Sequence, residues 1–124
     1  MTNYVDPTEQ LVVELYVRDI GRSVAFYERL GFRVLRREQA FAELDWEDSR
    51  LFVAEVSGLP EPACPPASNV RIMVADVDRY WQLAAEMHLP VIQPIADRYY
   101  GLRDFTVLGP DGMALRFASN LETA

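Results

Sequence analysis

Val13-Glu14-Leu15-Tyr16-Val17-Arg18-Asp19-Ile20 decides the fold, because the chain contains its counterpart a second time. At an offset of 57 residues stands Val70-Arg71-Ile72-Met73-Val74-Ala75-Asp76-Val77. Each copy is an alternating apolar run closed by Val-x-Asp and followed by a helical pattern. A second pair extends the repeat: Phe41 to Ala54 aligns with Phe105 to Ala118 at an offset of 64, with Leu44 over Leu108, Leu51 over Leu115 and Ala54 over Ala118. Each half therefore reads as a strand-helix-strand-strand-strand unit. A unit that small cannot bury its apolar face alone, so two copies are expected to pack together, and the surface they share is where a site is to be sought.

Side-chain parity separates the faces of these strands. Leu11, Val13, Leu15 and Val17 point to one side and are expected in the core, while Val12, Glu14 and Tyr16 point to the other. Asp19 stands where a helix cap would, and Ile20, Val24 and Tyr27 form a helical stripe that ends at Leu30-Gly31. In the second half Val70, Ile72 and Val74 take the core side, Asn69, Arg71 and Met73 the other, Asp76 caps, and Val77, Trp81 and Ala84 make the stripe before Pro90. Trp46-Glu47-Asp48-Ser49 and Gly109-Pro110-Asp111-Gly112 are the expected hairpin turns. The 124 residues are expected to form one domain, with module one at about 10–57, a linker at 58–67 containing four prolines, and module two at about 68–120.

Composition bounds the function. Half of the residues are apolar and a quarter charged, as in a globular protein with a substantial core. The amino end, Met1 to Pro7, has neither a basic region nor an apolar run, and nowhere do 18 apolar residues follow one another, so secretion and membrane insertion are not expected and a cytoplasmic location is. A net charge of −7 with scattered Lys and Arg argues against nucleic acid and favours a cationic partner if any charged one. Cys64, the single cysteine, reads as an inert loop thiol, and His88, the single histidine, as a solvated residue after the second helix. No Ser-His-Asp or Cys-His set and no phosphate-cradling glycine loop can be assembled.

By parity the face without a helix carries Val12, Glu14, Tyr16, Phe52, Ala54, Asn69, Arg71, Met73, Ala114, Arg116 and Ala118. Aromatic, small and a few charged groups together suit a largely apolar pocket with orienting polar contacts.

Val17-Arg18-Asp19-Ile20, Ser23 to Tyr27, Leu30-Gly31-Phe32, Tyr100 to Phe105 and Gly109 to Gly112 resemble the vicinal oxygen chelate superfamily, which includes glyoxalase I, bleomycin-resistance proteins and extradiol dioxygenases. The resemblance spans about Leu11 to Ser119. It implies an α+β fold of two tandem βαβββ modules, a curled mixed sheet around a cavity, and a homodimer. The positions where metal-using members place ligands fall on Val12, Phe52, Asn69 and Arg116, none of which offers the imidazole, thiolate or carboxylate that a transition metal needs. The resemblance therefore points to the metal-free bleomycin-resistance branch: no cofactor, no metal-dependent glyoxalase or dioxygenase activity, and sequestration of a planar or peptide-like antibiotic. Tyr99 and Tyr100 occupy the stretch where that branch has an aromatic-Gly pair beside the ligand. The expected ligand-binding set is Val12, Glu14, Tyr16, Phe52, Asn69, Arg71, Met73, Tyr99, Tyr100 and Arg116. Two other readings stay open: an enzyme using Glu14 as base, although an ion pair with Arg71 or Arg116 is the simpler fate for that carboxylate, and an interaction protein with a vestigial cavity.

Overall fold

The structure, a computed structural model, describes residues 11–121; the Met1 to Pro7 stretch discussed above and the expected first residue of module one lie outside the described residues. The chain divides into two compact units, Met1–Pro60 and Glu61–Ala124. The first contains β1 (Val13–Val17), α1 (Ile20–Leu30), β2 (Arg33–Arg37), β3 (Phe41–Trp46) and β4 (Ser49–Glu55). The second contains β5 (Asn69–Met73), α2 (Val77–Glu86), β6 (Val91–Asp97), β7 (Leu102–Leu108), a single 3-10 turn at Pro110–Gly112, and β8 (Ala114–Asn120).

Both units have the same topology. Their four-stranded sheets run β1-β4-β3-β2 and β5-β8-β7-β6, with the first and last strands of each unit paired in parallel and the other pairs antiparallel. Val13 lies opposite Leu51 in one sheet and Val70 opposite Leu115 in the other, so the two offsets read from the sequence, 57 and 64, are the register of the repeat itself. The two tandem βαβββ modules of an α+β chain are thus as expected, each with a mixed sheet of its own.

Each helix covers one face of its sheet. Ile20, Val24, Tyr27 and Leu30 of α1 are buried with Leu15, Val17, Leu44, Leu51 and Val53. Val77 and Ala84 of α2 are buried with Ile72, Phe105, Val107, Leu115 and Phe117. Fully burying one such large side chain stabilises a fold by about 1.5–3 kcal/mol. Two core expectations fail: Leu11 is 95% exposed and Val13 45%. Strand pairing starts only at Val13 and β4 only at Ser49, so both residues lie at the end of the sheet rather than under the helix.

The helix starts differ in how their free N–H groups are met. Asp19 caps α1, its Oδ1 accepting from the Arg22 N–H at 3.1 Å, and Glu55 Oε1 accepts from the Ile20 N–H at 3.1 Å. Asp76 occupies the cap position of α2 without a side-chain cap bond. There the Val77 N–H donates to Ser119 Oγ at 2.8 Å, and that hydroxyl donates to the Val74 carbonyl at 2.9 Å. Gly31 ends α1 at φ 129°, and a Cβ there would meet the Trp46 ring at 3.2 Å, so both backbone and space require glycine. Both hairpin turns lie where expected, with Glu47, Asp111 and Gly112 at positive φ.

Candidate functional site

The site is built on the open face of the second module's sheet. Phe105 and Val107 of β7 point into the core, so the alternation along the strand sends Asp104 and Thr106 to the opposite face. Asp104 is fully buried there, and a buried carboxylate is tolerable only when paired. Three arginines and a tyrosine do this. Arg98 Nε donates to Asp104 Oδ1 at 2.8 Å, Arg116 Nε lies 3.2 Å from Oδ2, Arg71 Nη1 lies 3.8 Å from Oδ2, and the Tyr100 hydroxyl donates to Oδ2 at 2.6 Å. Burial alone would push the Asp104 carboxyl up, but the hydrogen bonds from Tyr100 and Arg98 and the Arg116 charge hold it below the ordinary carboxylate value. The Tyr100 hydroxyl is raised, because its hydrogen bond to Asp104 favours the protonated form.

Local sequence explains how these groups reach one point. Pro94 has no N–H to give the ladder, and the β6–β7 register breaks between Gln93 and Ala96, across that proline. The Pro94 carbonyl accepts from Arg98 Nη2 at 2.6 Å, which aims the guanidinium at Asp104. Gly101, at φ 90°, turns the chain directly after Tyr100. Arg116 completes the cluster: its Nη2 donates to the Tyr100 hydroxyl at 2.7 Å and to Gln93 Oε1 at 3.2 Å, and its guanidinium carbon lies 6.0 Å from the centre of the Tyr100 ring. Tyr99 is 99% exposed and meets Tyr100 edge-on at 5.2 Å between ring centres.

Of the ten residues expected at a site, Arg71, Tyr100 and Arg116 are brought together around Asp104, with Tyr99 beside them. Met73 lies on the same face, on the strand next to Ala118, and Asn69 at the start of that strand next to Ala114. In the first module Glu14 and Phe52 are register partners on the open face and Tyr16 lies next to Ala54, while Val12 precedes β1. Phe52 packs edge-on against Phe41 at 5.2 Å. Arg71 and Arg116 both face Asp104 of their own module. The first module has its own ionic cluster, in which buried Glu43 and Asp45 face Arg33, Arg36 and Arg50. Trp81 tilts against Phe105 at 5.1 Å, as its place on the helical stripe led us to expect, and Trp46, at its turn, packs edge-on against Phe32 at 5.0 Å.

Residues 9–117 match the model of the Glyoxalase/Bleomycin resistance protein/Dioxygenase superfamily. The chain belongs to this superfamily. Among its curated relatives, a bleomycin resistance protein of Geobacillus stearothermophilus and one of Staphylococcus aureus are each 27% identical over 132 residues, covering 92% of this chain and 98% of the relative. Among solved structures, TioX from Micromonospora sp. ML1 is 28% identical with a TM-score of 0.74, covering 90% of this chain and 98% of its own. A bleomycin resistance determinant encoded on the transposon Tn5 is 26% identical with a TM-score of 0.68, covering 90% and 97%.

Some members of the superfamily use a metal, and the residues here do not fit one. At the last of the four positions onto which the resemblance would carry a ligand, Arg116 presents a fixed positive charge already engaged by Asp104. Among the described residues no three His, Cys, Asp or Glu side chains are grouped as a metal site requires.

The sequence reading missed Asp104, Arg98, Thr106 and Gln93. A signal for two of them was available: the parity that put Phe105 and Val107 in the core also puts Asp104 and Thr106 on the face of Arg116. Arg98 and Gln93 had none, because the register break at Pro94 decides where they point.

Proposed function

We propose that this protein binds and sequesters a planar or peptide-like antibiotic without a metal or cofactor, and that it does so as a homodimer. The observation that carries the reading is the Tyr99–Tyr100 step beside two guanidiniums on an open sheet face, in a chain similar over nearly its whole length to bleomycin resistance proteins. Tyrosine rings give flat, apolar contact area with a polar edge, worth about 0.5–1.5 kcal/mol per stacked pair beyond area burial. The guanidiniums orient polar groups of the ligand. No nucleophile or general base takes part in this arrangement, which suits holding a compound rather than converting it.

Binding to the folded chain stabilises it by mass action, by about 2.7 kcal/mol at a hundredfold excess of ligand over its dissociation constant. A thermal-shift panel of planar and peptide-like antibiotics is the test. A rise of several degrees in the wild type, reduced in Tyr100→Ala and Arg116→Ala, is expected; no shift with any planar compound, or equal shifts in both variants, overturns the reading or its placement on these strands.

A further inference from the structure

One row of polar residues crosses the whole open face of the second sheet. Arg71 on β5 lies opposite Arg116 on β8, Arg116 opposite Thr106 on β7, and Thr106 opposite Gln93 on β6. Like charges directly opposite on neighbouring strands destabilise a sheet, so the Arg71–Arg116 pair calls for countercharge. Asp104, two residues from Thr106 on the same face, provides a single negative charge for the three guanidiniums of Arg71, Arg98 and Arg116. The cluster therefore carries two positive charges in excess, inside a chain whose net charge is −7.

The three arginines are unequally engaged. Arg98 is committed to Asp104 and to the Pro94 carbonyl, and Arg116 to Asp104, Gln93 and the Tyr100 hydroxyl. Arg71 comes no closer to Asp104 than 3.8 Å, beyond hydrogen-bond distance, and its side chain is 36% exposed. Among the described residues it donates no hydrogen bond. The cluster of the first module differs: two buried carboxylates, Glu43 and Asp45, face three arginines, and Arg33 gives Asp45 a bidentate pair at 2.9 and 2.7 Å. That cluster carries one positive charge in excess, against two in the second module. The second module's cluster has donors to spare.

The geometry points to a recognition site for one anionic group of the ligand, a carboxylate or similar acid, taken by Arg71 with Arg116 behind it, while the flat body attached to that acid lies on Tyr99 and Tyr100. This deepens the ligand-binding reading above and rests on it. It narrows the ligand class to planar aromatic acids, against the cationic preference that the net charge alone suggests. Guanidinium groups favour carboxylates through paired N–H donors, and Arg116, pinned by Asp104 and Tyr100, holds its plane without losing freedom on binding.

Calorimetric titration of the full chain with 2-naphthoate and with 2-naphthamide, which share ring and shape and differ in charge, tests this directly. Wild type is expected to bind the acid at least tenfold more tightly than the amide, with the difference shrinking as salt is raised. Arg71→Gln should bring the acid down to the affinity of the amide, and Arg71→Lys should restore part of the preference. Equal binding of acid and amide by wild type overturns the inference without any variant, and so does an acid preference that survives in Arg71→Gln. If the amide binds and planar antibiotics shift the melting temperature while no acid preference appears, the sequestration reading stands and the anion site falls. If neither naphthyl compound nor any planar antibiotic binds, both fall.

Discussion

Asp104 Oδ2 accepts the Tyr100 hydroxyl at 2.6 Å and faces Arg116 Nε at 3.2 Å, so Arg116 is held by a carboxylate that is itself fully buried. Removing one partner of a buried ion pair leaves the other charge uncompensated, which costs about 3–5 kcal/mol. Asp104→Ala is therefore expected to lower unfolding stability by about that amount in urea titration. Arg103→Ala should cost far less, because its pairs with Asp78 and Asp97 are exposed and exposed pairs contribute about 0–1 kcal/mol. Equal losses in the two variants would show that Asp104 is not the keystone of the face.

The same network sets a pH window. The Asp104 carboxyl is held below its ordinary value, so its contribution is present above the unfolded value of about 3.9 and is lost as pH falls through the lower folded one. The Tyr100 hydroxyl is raised, so its contribution is present below about 10 and is lost as pH rises through the folded value. Stability measured against pH should show a plateau between these limits. Asp104→Asn should flatten both limbs, because Asp104 is also the main cause of the Tyr100 shift, whereas Tyr100→Phe should remove the alkaline limb and leave a smaller acid limb held by Arg98 and Arg116.

The repeat was legible because it rests on short-range patterns: Val-x-Asp before each helix, period-two alternation in the strands, and Gly31 at a helix end. The register partners Val13–Leu51 and Val70–Leu115 follow from the same two offsets. Burial at the ends of elements was not legible, as Leu11 shows, since alternation does not state where pairing stops. The candidate site was half legible. Arg71, Tyr100 and Arg116 could be placed by parity or by resemblance, and parity also puts Asp104 on their face, whereas Arg98 and Gln93 depend on a register break at Pro94 that no local pattern announces.

The two helix starts give a comparative prediction. Ser119 meets both the Val77 N–H and the Val74 carbonyl, so Ser119→Ala leaves a buried donor and acceptor without that partner and should cost about 1–3 kcal/mol. Asp19→Ala should cost about 1 kcal/mol through the lost cap bond, and Asp76→Ala less, because Asp76 makes no such bond. Chemical denaturation of the three variants orders them, and a larger loss in Asp76→Ala than in Asp19→Ala would contradict the assignment.

The last prediction concerns assembly. Each sheet has two edge strands, and every one of them presents an exposed large apolar residue: Val13 on β1, Leu35 on β2, Met73 on β5, and Val91 and Ile92 on β6. Open edges with apolar side chains favour pairing with another chain, and lysine at an edge blocks it. Light scattering at tens of micromolar is expected to give a mass of about twice the 14.2 kDa of one chain. Leu35→Lys combined with Ile92→Lys should shift that population towards the single chain while leaving both helix-covered cores intact, since neither residue is part of a buried face. A wild-type sample that contains only the 14.2 kDa species removes the dimer from the proposed function, because ligand clefts would then have to be completed within one chain.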